Sequence, residues 1–292
     1  MSSHPAYQPY PWPVRFRKIR PDIDLAYMDV GAGPKTVVML HGLGSYSPAW
    51  SRTIEGLKDH ARCIALDFPN YGQSTLGNFP VSLKWFAEVV RDLILDLKLE
   101  GPVILAGHSM GAQIAVWFHE LRLFPLERLI LISPAGFEQF SGMEKRWFAT
   151  INRPSLIRNL TDSQILRNFE VNFVQFPENA RFMVQDRLKL KAHRQAYEFY
   201  CRMIPKCTQA MLDEPIWDIL PDIRIPTQVV YGLADKLIPN PILHPSLTLE
   251  EVAWAGTRRI PGAHLSLIPG GGHFVHWEQP ILVNEVLRPL VR

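Results

Sequence analysis

The feature that most constrains the fold of this 292-residue chain is the sequence Gly107-His108-Ser109-Met110-Gly111. An apolar run, residues 102–106, precedes it, and a helix-like run, residues 112–118, follows it. A Gly-x-Ser-x-Gly pattern in this setting predicts a buried strand that turns sharply into a helix, with the serine at the apex. We expect the turn to hold Ser109 in a strained backbone conformation and to direct its hydroxyl out of the sheet. The two glycines keep side chains away from the close approach of strand and helix.

Strand-like and helix-like segments alternate along much of the chain. Residues 14–19 and 24–30 suit an antiparallel pair at a sheet edge, and a helix is predicted to begin at Ser47-Pro48 with Ser47 as its cap. The alternation indicates an α/β fold with a mostly parallel central sheet flanked by helices. The other predicted strands are residues 36–40, 62–67, 102–106, 129–133, 227–231 and 264–268. The other predicted helices are residues 82–99, a helix that begins after Ser109 and ends at residue 124, and a helix that begins at residue 279.

A helix-like block rich in large apolar side chains interrupts this alternation at residues 137–211. We expect it to form a helical cap, or lid, over a core domain made of residues 14–136 and 212–292, with residues 1–13 as an N-terminal arm. Most aromatic side chains of the block are expected to form the core of the cap itself. Phe137 and Trp147 are expected to line a substrate pocket.

Composition narrows the function classes. The net charge of +3 is small, and the cluster Arg15, Arg17, Lys18 and Arg20 suits the solvated face of a strand better than a nucleic-acid patch. Three cysteines favour a reducing compartment, although one pair could form. No apolar run is long enough for a membrane span, and the N-terminus lacks signal-peptide features, so we expect a cytoplasmic protein, a monomer or homodimer, whose partner is a small molecule.

A serine hydroxyl is a weak nucleophile alone, so Ser109 predicts a base and an orienting acid further along the chain. Asp235 follows a predicted strand and lies in a loop, where catalytic groups of parallel sheets gather. His273 follows the last predicted strand and a glycine run, and we assign it as the base. His276 is its rival and is expected to pack beneath the C-terminal helix. Asp67 precedes the serine and suits a turn.

The loop at residues 41–44 follows a predicted buried strand and contains two glycines, so its backbone N–H groups can face a cavity. We expect the N–H groups of Leu43 and Met110 to form an oxyanion hole. The ring of His41 is expected to hold this loop by local hydrogen bonds. Three residues of this region are also expected to lie against the substrate: His41, Gly42 and His108.

Taken together, these motifs resemble those of α/β-hydrolase fold proteins of the esterase/lipase group. The resemblance covers the chain from about residue 24 to its end, apart from most of the cap, and departs at Asn70 and over residues 240–259. It implies a Ser109–His273–Asp235 triad and no metal or cofactor. The matching segments are His41-Gly42, Asp67…Tyr71-Gly72-Gln73-Ser74, Gly107–Gly111, Gly232…Asp235…Pro239 and Gly272-His273…Glu278-Gln279-Pro280.

The expected activity is hydrolysis of carboxylic esters of uncharged, apolar substrates through an acyl-enzyme. A carbon–carbon bond hydrolase of the meta-cleavage type is an alternative, because similar capped folds cleave acidic substrates with a serine triad. A basic residue reaching the pocket from the cap, such as Arg153, Arg158 or Arg181, would favour it. Lactonase, thioesterase, haloperoxidase and hydroxynitrile lyase activities remain open, as does a weakly catalytic ligand-binding protein.

Overall fold

A computed structural model of the chain describes residues 7–292, and its centre is a sheet of eight strands. They are β1 (Val14–Arg20), β2 (Ile23–Val30), β3 (Thr36–Leu40), β4 (Arg62–Leu66), β5 (Val103–His108), β6 (Leu126–Ile132), β7 (Thr227–Gly232) and β8 (His264–Ile268). The strand order is β1-β2-β4-β3-β5-β6-β7-β8. β1 and β2 pair antiparallel with their neighbours and every other pair is parallel, so the predicted fold class is confirmed.

Burial explains why the inner strands form. Every residue of β5 and of β7 is buried, as expected for strands of a parallel sheet with helices on both faces. The edge strand β1 instead alternates exposed and partly buried residues over its first four positions. Its basic side chains pair with acids at the surface, as Arg15 does with Asp29 and Arg20 with Asp92.

Helices cover both faces of the sheet, and they pack through mainly apolar surfaces. Ser82 caps the second helix by accepting a 3.0 Å hydrogen bond from the N–H of Trp85. The predicted Ser47 cap is wrong: a 3₁₀ turn, Ser47–Trp50, precedes the first helix, and the N–H of Ser47 donates to Asp67. The helices outside the cap region are α1 (Ser51–Leu57), α2 (Leu83–Asp96), α3 (Met110–Glu120), α9 (Leu249–Arg259), α10 (Val275–Glu278) and α11 (Pro280–Leu287).

Five helices lie between β6 and β7, in the segment predicted to form the cap. They are α4 (Gly142–Ile151), α5 (Pro154–Arg158), α6 (Asp162–Glu170), α7 (Arg181–Ala192) and α8 (Arg194–Asp213). Capping boxes at Ser141 and Thr161 fix the starts of α4 and α6. The long helix α8 contacts α4, α5 and α7, so it organises this region.

The N-terminal arm and the cysteines complete the description. Residues 1–6 of the predicted arm lie outside the described residues, and from Tyr7 onward the arm packs against the rest of the chain.

Cys63, Cys201 and Cys207 are buried and unpaired, and burial raises the pKa of the Cys207 thiol to about 12. Between residues 7 and 292, no helix combines the length and the apolar character that a bilayer crossing requires.

Candidate active site

Ser109 occupies the turn between β5 and α3. Its backbone has φ 53° and ψ −115°, a conformation that is strained for a residue with a side chain. The N–H of Ser109 donates to the carbonyl of Ile132 at 2.9 Å, which holds the turn against β6. A Cβ added at Gly111 would lie 2.2 Å from the carbonyl oxygen of Leu40, the last residue of β3, so α3 can begin this close to β3 only with glycine there.

His273 and Asp235 form a hydrogen-bonded pair. Nδ1 of His273 donates to Oδ2 of Asp235 at 2.8 Å, so Nε2 is the nitrogen that can accept a proton. The other carboxylate oxygen accepts from the N–H of Leu237 at 2.8 Å and from that of Ile238 at 3.2 Å. The Asp235 side chain is fully buried, so these bonds fix the orientation of the imidazole.

Ser109 and His273 line the same cavity, which has a volume of about 190 Å³. Most of its wall is apolar, and the cap region supplies much of it. The polar lining residues besides Ser109 and His273 are Glu138, Asn240 and Thr208. The apolar side chains are Pro134, Ala135, Phe140, Phe148, Met211, Leu212, Leu237 and Ile238.

Glu138 gives this cavity a carboxylate. Its Oε1 accepts from the N–H of Asn240 at 2.8 Å and lies 2.5 Å from Nδ1 of His244. Nε2 of His244 lies 3.1 Å from Oε1 of Glu144, on α4. Burial raises the pKa of Glu138, and the hydrogen bond to Glu138 raises the pKa of His244. The imidazole of His244 therefore links Glu138, which lines the cavity, to Glu144 on α4.

The loop at residues 41–44 lies against Ser109. A Cβ added at Gly42 would come within 3.1 Å of the Cβ of Ser109, so this backbone borders the serine directly. The fully buried ring of His41 donates from Nδ1 to the carbonyl of Gly42 at 2.9 Å and accepts at Nε2 from the N–H of Phe68 at 3.1 Å. Burial lowers its pKa to about 4, which keeps the ring neutral. His41 holds the loop.

A second cavity, of about 130 Å³, includes Leu43 and Gly44 of this loop and Arg187 among its lining residues. Nη2 of Arg187, on α7, donates to the carbonyl oxygen of Gly44 at 2.6 Å. Its guanidinium lies 3.8 Å from the ring centroid of Tyr200, on α8, and donates to the hydroxyl of that ring. Phe274, the neighbour of His273, also lines this cavity.

Arg187 is a basic residue of the segment predicted to form the cap, it contacts the loop at residues 41–44, and it was not among the three predicted from sequence. Arg158 pairs with Glu198, and Arg181 with Glu178. Neither Arg158 nor Arg181 lines the two cavities next to the loop. Arg153 is the residue that precedes α5 and lines neither of them.

Several residues expected to contact substrate lie elsewhere. Phe137 is buried against Tyr231 and Gly256, and Trp147 packs against Phe148. Neither lines the cavity at Ser109: Phe137 fills space within the fold, and Trp147 lies partly exposed on α4.

Two further histidines lie beneath His273. His108 is buried, and its Nε2 donates to the backbone carbonyl of His273 at 2.9 Å, so it supports that residue without lining the cavity. His276 is fully buried against Trp50 and His108. Burial lowers its pKa to about 3.

Comparisons with known proteins place the chain in a family. The profile of the Alpha/beta hydrolase family matches residues 37–286. A 2-hydroxy-6-oxononadienedioate/2-hydroxy-6-oxononatrienedioate hydrolase of Pseudomonas putida is 28% identical, with 94% of each chain covered. A probable hydrolytic enzyme of Pseudomonas aeruginosa superposes with TM-score 0.87 at 21% identity over 100% of both chains. A malate-bound thermophilic esterase of Thermogutta terrifontis superposes with TM-score 0.73 at 25% identity, covering 92% of this chain and 93% of its own. The chain belongs to the alpha/beta hydrolase family.

Proposed function

We propose that this protein is a serine hydrolase that cleaves carboxylic esters of uncharged, apolar substrates. The observation that carries the proposal is the 2.8 Å hydrogen bond between Asp235 and His273, with His273 lining the same cavity as Ser109. A nucleophile, a base and an orienting acid in this arrangement have the roles that acyl transfer requires.

In the proposed mechanism, Ser109 attacks the acyl carbonyl while Nε2 of His273 takes its proton and later returns it to the leaving alcohol. Asp235 keeps the proton of the neutral imidazole on Nδ1 and stabilises the cation that forms. The N–H groups of Leu43 and Met110 are proposed to bind the oxyanion, a contribution of about 3 kcal/mol per donor in comparable sites. Water then releases the acid from the acyl-enzyme.

The cavity supports the proposed preference for uncharged groups. Phenylalanine, methionine, leucine and isoleucine side chains form most of its wall, and Glu138 is the acidic residue among its lining residues. An anionic acyl or alcohol group placed there would lose its hydration, and none of the described lining residues is a lysine or arginine that could pair with it. A neutral apolar group would lose only its contact with water, which favours binding.

The test is hydrolysis of a chain-length series of chromogenic acyl esters by the wild type and by Ser109→Ala, with Ser163→Ala on the exposed face of α6 as the matched control. We expect turnover in the wild type and in the control and its loss in Ser109→Ala. A folded protein that no ester engages, yet that a serine-directed phosphonate labels, would refute the ester proposal and favour the second candidate below. A folded protein that shows no turnover and no labelling would favour the interpretation as a ligand-binding protein.

The second candidate is carbon–carbon bond hydrolysis of an acidic substrate, and Arg187 is the observation that favours it. Its guanidinium lines the cavity beside Leu43 and Phe274, where it could bind a carboxylate. The Pseudomonas putida relative, which is named for hydrolysis of dioates, adds support. Turnover of a 2-hydroxy-6-oxo-dienoate, with no turnover of the ester series, would favour this candidate.

A further inference from the structure

A third cavity, of about 300 Å³, lies where the N-terminal arm, the segment after the oxyanion loop and α7 meet. The arm contributes Tyr10, the segment after the loop contributes Tyr46, and α7 contributes Phe182 and Asp186. Trp277, on α10, closes it. None of its lining residues lines the cavity at Ser109, so the mechanism proposed above does not use it.

Four aromatic rings form a continuous wall around this cavity. The ring centroids of Tyr10 and Tyr46 are 5.7 Å apart, those of Tyr46 and Phe182 are 6.3 Å apart, and those of Phe182 and Trp277 are 5.6 Å apart. Aromatic faces carry partial negative charge and attract cations that lie against them. A cation that lies against the faces of these rings would therefore be favoured over a neutral occupant.

Two buried carboxylates add negative charge behind the tyrosines. Asp186 accepts from the hydroxyl of Tyr46 at 2.7 Å and from the N–H of Gln8 at 2.9 Å. Its nearest cation is Nζ of the half-exposed Lys189, 3.9 Å away. Asp67 is fully buried and accepts from the hydroxyl of Tyr10 at 2.6 Å.

Cationic side chains compensate this charge only in part. Within residues 7–292, no lysine, arginine or histidine forms an ion pair with Asp67, whose other donors are the backbone N–H groups of Ser47 and Gln73. The guanidinium of Arg52 lies 5.0 Å from the ring centroid of Trp277, but Arg52 does not line the cavity. The negative charge of Asp186 and Asp67 is therefore only partly neutralised by the described cationic side chains.

We propose that this cavity binds a small organic cation of the quaternary or fully methylated ammonium class. Asp186 is the charged residue among the lining residues, and each of its carboxylate oxygens already accepts one hydrogen bond, so the lining offers few of the several acceptors that a metal ion or the three N–H groups of a primary ammonium would need. A quaternary ammonium needs no hydrogen-bond acceptor and gains from aromatic faces and nearby negative charge alone. The volume of about 300 Å³ is ample for a trimethylammonium group.

The test compares two ligands of the same shape, choline and its uncharged isostere 3,3-dimethylbutan-1-ol, by titration calorimetry on the full chain. We expect choline to bind at least about tenfold more tightly, because only the charged ligand gains from the rings and the carboxylates. Equal dissociation constants for choline and the isostere would show that the cavity binds by apolar contact alone, and they would overturn the proposal. The absence of any choline binding would overturn it as well.

Substitutions test whether choline binds in this cavity. Phe182→Leu keeps apolar volume at a half-buried position and removes one ring, and we expect it to weaken choline binding about fivefold or more. Asp186→Asn should weaken choline binding and leave the isostere unaffected. Phe176→Leu, a cap aromatic outside this lining, and Glu138→Gln, in the cavity at Ser109, are the matched controls. Equal choline affinity in Phe182→Leu and the wild type, or a loss in Glu138→Gln, would place binding elsewhere and refute the proposal.

Discussion

The cavity at Ser109 and the cavity beside Leu43 differ in the sign of the charged residue that lines each of them. The cavity shared by Ser109 and His273 holds the carboxylate of Glu138, and the cavity beside Leu43 holds the guanidinium of Arg187. Of the two, Ser109 and His273 line the first, and Phe274, the neighbour of His273, lines the second. We infer that Glu138 and Arg187, which lie in the segment predicted to form the cap, would set any preference for substrate charge without changing the groups proposed to react.

The largest expected effect tests what the two cavities share. Asp235→Asn should lower kcat about 10⁴-fold, because the imidazole loses the partner that fixes its tautomer. The loss should be the same for neutral esters and for acidic substrates, since both depend on His273. Steady-state kinetics with Asp213→Asn as the control would check this. A nearly unchanged rate would show that the acid has been assigned wrongly.

The next effect tests the basic cavity. Arg187→Met should lower kcat/KM for a dianionic substrate about 10- to 100-fold more than for a neutral ester, because a partly buried carboxylate would lose its cation. Arg158→Met, which removes a surface guanidinium of the same cap region, is the control. An equal loss for neutral and anionic substrates would instead identify Arg187 as a positioning residue that holds the carbonyl of Gly44.

A smaller effect tests the acidic cavity. Glu138→Gln should raise kcat/KM for esters with an anionic acyl group about tenfold relative to neutral esters of equal length, because the like charge is removed. The ratio should not change in Glu170→Gln, a substitution on α6. A constant ratio in both variants would mean that the carboxylate of Glu138 does not face the bound substrate.

The smallest effect concerns the bridge between Glu138 and Glu144. The pKa of His244 is raised in the folded protein, chiefly by its hydrogen bond to Glu138, so its stabilising contribution is fully present below about pH 6.5 and is lost as pH rises through the folded pKa. A contribution on the order of 1 kcal/mol would give the wild type a Tm about 2 °C above that of His244→Gln near pH 6. Scanning calorimetry from pH 6 to 9 should show this gap closing. A constant gap would exclude titration of His244 as its source.

Short-range signals predicted much of the fold. β8 has the predicted bounds, and β3 does too, because short apolar runs next to turn residues have few alternatives. Helix ends were less accurate: α3 stops at Glu120 instead of residue 124, and tertiary contacts decide such ends. At Ser47 the local capping rule failed because Tyr46 occupies the cap position and Ser47 already belongs to the 3₁₀ turn, where its N–H donates to Asp67, twenty residues on.

The same distinction between local patterns and long-range contacts applies to the residues of the candidate site. Ser109, Asp235 and His273 each follow a strand, so a local pattern was enough to single them out, and their roles stay predictions. Glu138 and Arg187 were missed, because their neighbours at the site lie 102 and 143 residues away along the chain. Nothing near them in the sequence distinguishes them from solvated charges.

The strained backbone of Ser109 has a consequence for how such a protein evolves. A residue with a side chain at φ 53° and ψ −115° costs the fold on the order of 1–3 kcal/mol, and glycine would remove much of that cost. Stability alone would therefore favour loss of this serine, and drift in a lineage with no use for its hydroxyl would tend to erase it. Retention of Ser109 against that bias is what continued selection for its chemistry would produce.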